Sequence, residues 1–395
     1  MTQPLESNFG HEASRGSQFD DYIAAFSREA TNPPGNDKCM GAFYTALTSL
    51  STDNKGFNAF LATITTRRKL TPQHFTNLMF RTTQYLELFE KKNDNYPLGY
   101  SEPNQWVTEI PELLEQYGSL MEELLLTKDT TTTIYQRYAG TLAVLSGFFA
   151  REKLKVADFG CGGNYGLPGL IKSIPFKTID DQTPNKIVTT LIKHHPDIDE
   201  GLAIDKVDPQ DPKEKAWRLA CSFYPQELGQ LEDLMDFEAS IADVRTVKFL
   251  QTDLVTLDVD HFNNRESIIP KEYFDAVVMN TLCYQLDPQE QKRMLEVAER
   301  SIKSDGLLIV QDFVRKDPAV PNHLEFLKSW FTEQFPYRTF IWGASTNWIF
   351  KEFLQWSNGR CLGVRKGEDF KELLGNYMFN SSRRLASSIK RGERG

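Results

Sequence analysis

The sequence predicts an α/β fold: a mostly parallel sheet covered by helices on both faces, with a helical domain ahead of it. Three observations carry that expectation. Up to about residue 150, apolar residues recur at three- and four-residue spacing, the mark of amphipathic helices. From Lys155 onward, short apolar runs alternate with helical stretches, a pattern that places helices on the faces of a parallel sheet. The first of those runs closes on glycines, at the strand end where open α/β sheets receive their ligands.

Taken in order, residues 1–18 are polar and contain Gly and Ser, which predicts a loose tail. Residues 19–150 form the helical domain, a cap on the sheet domain. GAFYTALTSL, PQHFTNLMFRTTQYLELFEKK and TEIPELLEQYGSLMEELLL each carry the helical spacing, separated by turn-like segments such as KNDNYPLGYSEPN. The sheet domain is expected over 151–375. LKVADFG reads as its first buried parallel strand, followed by GLAID (201–205), VKFLQ (247–251), FDAVVMN (274–280) and GLLIVQDFV (306–314). Before the last of these, PQEQKRMLEVAERSIK begins with Asp287 as N-cap, Pro288 in the first turn and Glu290 three residues on, a capping box. Gly306 then stops the helix. NWIFKEFLQWS and RCLGVRK flank Asn358-Gly359, predicting an antiparallel hairpin with a two-residue turn. Residues 376–395 are a basic tail, read as a solvated end or as a contact for nucleic acid or an acidic partner.

Composition bounds the function. The chain has 395 residues, a net charge of −9 and 12% aromatic residues. A core can form without disulfides or metals at that length. The negative balance disfavours general affinity for nucleic acid. No run approaches the roughly 18 apolar residues that a membrane span needs, and the start lacks the apolar stretch of a signal peptide. Five cysteines without a CxxC pair fit reduced thiols. The expectation is a cytoplasmic enzyme of undetermined oligomeric state.

The turn Asp158-Phe-Gly160-Cys-Gly162-Gly163 carries the cofactor signal. A dinucleotide fingerprint needs glycine at the place of Tyr165, and a P-loop needs a GK[ST] that is absent. An acid two residues before the first glycine repels a pyrophosphate but suits a ligand bearing an ammonium group, such as the methionine part of S-adenosylmethionine. Asp205 ends the second strand, where a carboxylate can accept from both ribose hydroxyls, with Asp208 as its rival. The distance from Gly160 to Asp205 exceeds the usual spacing of about 20 residues, which predicts an insertion at about 171–199. Asp253 after the third strand would meet the adenine amino group with Leu254 beside the ring, or else simply forms a turn.

The order of these features, with a parallel sheet ending in an antiparallel hairpin, resembles the class I methyltransferases and their Rossmann-like sheet. At FDAVVMNTLCYQLDPQEQKRM the text further resembles a bacterial methyltransferase-like family known as a domain of unknown function. Asp205, Asp208-Pro209, AWRLAC (216–221), Phe223-Tyr224-Pro225, FYTALTSL and NLMF occupy the places of that family's motifs. The resemblance covers roughly residues 40–365 and implies a helical cap on a fold that binds S-adenosylmethionine. It departs at Asn280, where the family has histidine, in the segment Thr132 to Arg137, where only the threonine and arginine remain, and near the last strand, where an HG pair is missing. Arg137 could pair with the cofactor carboxylate, or be a plain surface arginine.

Methyl transfer needs an in-line approach, much of which orientation alone can supply. Asn280 stands where acceptors lie in such folds, with Thr281, Tyr284 and Gln285 on the same loop; ordinary loop packing is the competing reading for each. Asp312 is a candidate base or a turn residue. The six histidines show no metal-binding spacing, so no metal is expected. Asn280 lacks the Pro-Pro-aromatic continuation of DNA amino-methylating loops, and no cysteine follows a proline. Trp330, Trp342, Trp348 and Trp356 fill either a pocket or the core. The function expected is transfer of a methyl group from S-adenosylmethionine to a small-molecule acceptor. A non-catalytic cofactor-binding or regulatory relative, and a peptide or protein methyltransferase, stand as alternatives.

Overall fold

The computed structural model describes residues 9–131, 133–149, 153–227, 229–257, 268–313 and 335–375. The basic tail over 376–395, the first eight residues and Trp330 lie outside them. Among the described residues the helices are α1 (Phe9–Thr31), α2 (Lys38–Asp53), α3 (Lys55–Arg67), α4 (Pro72–Tyr85), α5 (Pro103–Thr127), α6 (Tyr138–Phe148), α7 (Gly166–Ile171), α8 (Ile187–Leu191), α9 (Pro212–Ser222), α10 (Gly229–Ile241) and α11 (Pro288–Ser301). The strands are β1 (Lys153–Phe159), β2 (Asp180–Asp181), β3 (Asp197–Asp205), β4 (Val247–Gln251), β5 (Phe274–Asn280), β6 (Ile302–Phe313), β7 (Tyr337–Gly343), β8 (Lys351–Trp356) and β9 (Gly363–Lys366). The chain divides into two compact units, residues 1–132 with 210–237, and residues 133–209 with 238–395.

The first unit is helical. Its core packs Phe43 edge-on against Phe80 and Trp106, with ring centres 5.2 and 5.1 Å apart, the offset that aromatic quadrupoles favour. Part of this core comes from α9, remote in sequence: Trp217, Ala220 and Cys221 are buried with the residues of α1 to α5. The end of α9 leaves carbonyls without helical partners. Gln84 Nε2 donates to Ala220 O at 2.6 Å and Arg81 Nη1 to Phe223 O at 2.5 Å, so side chains of α4 close that helix.

The second unit holds a sheet of spatial order β2-β9-β8-β7-β6-β5-β1-β3-β4. β4, β3, β1, β5 and β6 are parallel. After β1 the chain first places the short β2 at the far edge, then runs through β3 to β4 and returns to β5 on the other side of β1. The strand order therefore reverses between β1 and β5, and a doubly wound α/β sheet opens a crevice at the carboxyl ends beside that reversal. Register makes these ends level: Phe159 pairs with Ile204 and Met279, so Asp205 and Asn280 stand one residue beyond it, beside Gly160. The strands read from sequence over 247–251 and 274–280 have those bounds, and Asp287 and Glu290 form the expected capping box on α11.

The far edge of the sheet differs from the sequence reading. β6 is followed by three antiparallel pairings, β6 with β7, β7 with β8 and β8 with β9, where a single hairpin was expected. β7 escaped notice because Arg338 and Thr339 interrupt its apolar run. The β8–β9 connection covers six residues, 357–362, and not two. Within it Cys361 N donates to Asn358 O at 3.1 Å, so Asn-Gly opens a turn inside a longer loop. Phe313 lies against Gly359, where a Cβ would come within 2.8 Å of its Cζ. The stretch expected as an insertion supplies α8 and β2, and β2 adds a parallel edge to β9 through Asp180↔Gly363 and Asp181↔Val364.

Candidate functional site

The glycine turn comes directly after β1. Gly160 and Gly162 have φ of +71° and +55°, a left-handed conformation in which glycine is favoured. Both are also closely approached: a Cβ on Gly160 would stand 2.6 Å from Leu282 Cδ2, and one on Gly162 2.6 Å from Thr133 Oγ1. The turn's backbone donors all find protein acceptors. Gly160 N and Cys161 N donate to Ile204 O at 2.8 and 3.1 Å, and Asn164 N to Cys161 O at 3.0 Å. Gly162 N donates to Asp205 Oδ2 at 2.8 Å and Gly163 N to Thr133 Oγ1 at 3.0 Å. A cradle for phosphate needs such N–H groups turned outward, and here they are consumed.

Acceptors, by contrast, are left over. Asp158 is fully buried at the end of β1, and its Oδ2 accepts from the Tyr138 hydroxyl at 2.7 Å. Its Oδ1 has no partner, and neither does Oδ1 of the 8% exposed Asn280 at the end of β5. Asn280 Nδ2 donates to Thr141 Oγ1 at 3.4 Å. Burial raises the Asp158 carboxyl to about 7; the Tyr138 hydrogen bond opposes that rise and the nearby Asp205 charge adds to it. Burial likewise pushes Asp205 up, while the N–H groups of Gly162 and Val207 pull it down. Val207 N donates to Asp205 Oδ1 at 3.2 Å, so each Asp205 oxygen takes one backbone donor and keeps a lone pair.

A second group forms where β5 and β6 end. Thr281 has φ of +58°, strained for a β-branched residue. It is held there by Thr281 N to Gln311 O at 2.8 Å and by its hydroxyl against Tyr337 Oη at 2.7 Å. Asp312 is fully buried. Its Oδ1 accepts from Phe313 N at 2.8 Å and its Oδ2 from Tyr284 N at 3.2 Å. Burial lifts its carboxyl to about 7 against the pull of those N–H groups and of Arg137. The Tyr284 ring meets Phe313 edge-on, centres 5.5 Å apart. Arg137 Nε donates to Gly359 O at 2.8 Å.

The structure thus brings Asp158, Gly160, Gly162, Asp205 and Asn280 to one strand-end crevice, and ties Tyr284, Asp312 and Arg137 into the neighbouring group. Asp253 is exposed and caps its own turn, accepting from Val255 N at 3.0 Å. Leu254 is buried in the sheet's apolar cluster with Phe159 and Ile204. Tyr138, Thr141 and Thr133 escaped the sequence reading. α6 is apolar and buried all round, so its periodicity gave no sign of which polar atoms turn toward β1. Trp356 is core, and Trp342 packs on the half-exposed Trp348 at 4.8 Å.

No family model matches the chain, and no curated protein does. The resemblance to the bacterial family therefore rests on its motif residues alone. Among solved structures the chain is similar to the YcgJ protein of Bacillus subtilis, at 14% identity and a TM-score of 0.25, over 46% of this chain and 53% of that one. It is similar to PKMT2 of Rickettsia typhi in complex with AdoHcy, at 17% identity and 0.26, over 47% and 27%. It is also similar to the [4+2]-cyclase SpnF, at 15% and 0.27, over 51% and 56%. The matches thus span between about a quarter and just over half of those chains' lengths, and likeness this slight carries no argument about activity.

Proposed function

We propose that this protein binds S-adenosylmethionine in the β1–β5 crevice and transfers its methyl group to a small-molecule acceptor. One observation carries the reading: the crevice spends every backbone donor of its glycine turn internally and leaves two buried acceptor oxygens, Asp158 Oδ1 and Asn280 Oδ1, without partners. Leaving a buried acceptor unpaired costs about 1–3 kcal/mol, so a ligand with N–H donors and positive charge fits, and a pyrophosphate does not. The ammonium of the cofactor's amino-acid part has that chemistry. Asp205 offers one lone pair on each oxygen to a ribose diol. When bound, the sulfonium supplies an activated methyl group. Asn280 and Thr281 at the end of β5 border the same crevice and would orient the acceptor; an amide and a hydroxyl position a nucleophile but do not take its proton at neutral pH. Arg137, engaged with Gly359 O, is given no cofactor role.

The second reading, cofactor binding without turnover, is favoured by Asp312. Both of its oxygens are taken by backbone N–H groups, which makes it a fastener of the Tyr284 loop and a poor base. Calorimetric titration with S-adenosylhomocysteine tests the shared premise. Micromolar affinity, about −8 kcal/mol, weakened at least about tenfold in Asp205→Ala, is the expected result. Absence of binding to the wild type sinks both readings. Binding without methyl release across a panel of small nucleophiles would leave only the second.

A further inference from the structure

We infer that Tyr138 is a positioning residue whose hydroxyl orients Asp158 so that it presents its remaining oxygen to a ligand ammonium. This deepens the cofactor reading and rests on it. The hydroxyl donates to Asp158 Oδ2 at 2.7 Å. A phenol has a single donor, and that donor is spent on this one carboxylate oxygen. The oxygen it binds is the one turned away from use, and Asp158 Oδ1 is the one left bare. Asn280 is turned by a different partner: its amide nitrogen donates to Thr141 Oγ1 at 3.4 Å, toward α6, and its Oδ1 is left unpaired.

Tyr138 is itself closely packed. It is 3% exposed. A Cβ on Gly166 would collide with its Cε1 and Cζ, and a Cβ on Gly169 with the ring of Tyr135. Tyr135 and Tyr138 lie three residues apart, as do Gly166 and Gly169, so the ring that opens α6 and the ring one turn ahead of it lie in the two gaps of α7. The Tyr135 and Tyr138 rings are stacked with centres 6.5 Å apart and an interplanar angle of 14°. Arrangement of this kind holds a hydroxyl at a fixed point, which is what pre-organised recognition of a charged group requires.

The test compares two probes on the wild type and Tyr138→Phe. S-Adenosylhomocysteine carries the ammonium; 5′-methylthioadenosine has the same nucleoside and lacks the amino-acid part. Phenylalanine keeps the ring against Gly166 and removes only the hydroxyl. The expected result is a loss of roughly tenfold or more in S-adenosylhomocysteine affinity, the scale of a hydrogen bond to a charged group, with 5′-methylthioadenosine affinity unchanged. The pH profile supplies a second readout. The groups acting on Asp158 are Tyr138, with which it shares a hydrogen bond, and Asp205, and its own charge acts on Cys161. Since the Tyr138 hydrogen bond lowers the Asp158 carboxyl, its removal shifts the rise of S-adenosylhomocysteine affinity with pH to higher pH. Equal loss of both probes assigns Tyr138 a merely structural role and overturns the proposal, as does unchanged affinity for both. Failure of the wild type to bind either probe instead defeats the cofactor reading beneath it.

Discussion

Asp312 stands where a sequence suggests a base, and in the structure its carboxylate is engaged by the backbone around it. A carboxylate near the end of the fifth parallel strand invites a role as base, but its two oxygens accept from Phe313 N and Tyr284 N and its side chain has no solvent contact. The resulting pH dependence has a definite sign. Burial raises the folded-state carboxyl from 3.8 to about 7, so between those values the native state holds a proton that the unfolded chain has lost. Stability from this residue is greatest below the unfolded value, falls as pH rises through the window, and levels off above about 7. Asp312→Asn removes the titration. In urea unfolding, the variant should gain on the wild type between pH 5 and pH 8; a gap that stays constant over that range would refute the assignment. Neither the burial nor the two N–H partners could be read from the sequence, because both depend on how the loop after β5 lies against β6.

Between elements, the fit of α6 on α7 decides where the crevice's polar atoms stand. Periodicity made the helical character of this region plain, yet α6 is buried on every side, and a helix with no polar face gives no direction. Its small residues are the readable trace: Gly140 lets the helix approach Gln311 and Thr339, while Gly166 and Gly169 receive the two tyrosines. A methyl group at Gly166 has no room unless Tyr138 moves. Gly166→Ala should cost about 1–3 kcal/mol of stability, the usual penalty for overpacking, and weaken S-adenosylhomocysteine binding with it. Gly118→Ala in α5 is the control, since nothing lies within 4 Å of a Cβ there. It should leave the urea midpoint unchanged or slightly raised. The central strands were legible for the opposite reason: runs such as FDAVVMN are apolar throughout because both faces of a parallel strand are covered. β2 was not legible, since two aspartates at a sheet edge carry no strand signal.

At the scale of the whole chain, what sequence could not reveal is the allegiance of the segment after β3. Local pattern reads 212–222 as one more helix between strands, to be laid on the sheet. Its residues instead complete the helical unit. The cause is chemical and not periodic. Trp217 fills the aromatic core and its Nε1 donates to Asp129 O at 2.9 Å, while the buried side chains of Arg81 and Gln84 both donate to Ala220 O and Phe223 O. Arg81 also lies over the Tyr224 ring, 5.2 Å from its centre. A polypeptide ending at residue 132 would keep α1 to α5 but lose the acceptors of a guanidinium and an amide, each worth about 1–3 kcal/mol, and expose the apolar surface that the buried indole covered, another roughly 3–5 kcal/mol. Losses of that size approach the whole stability of a small domain, about 5–15 kcal/mol. Residues 1–132 expressed alone should therefore show helical circular dichroism without a cooperative thermal transition. The same residues joined by a flexible linker to 210–237 should recover one. A sharp transition in the shorter polypeptide would mean that α9 is accessory, and that the helical unit is specified by the first third of the chain alone.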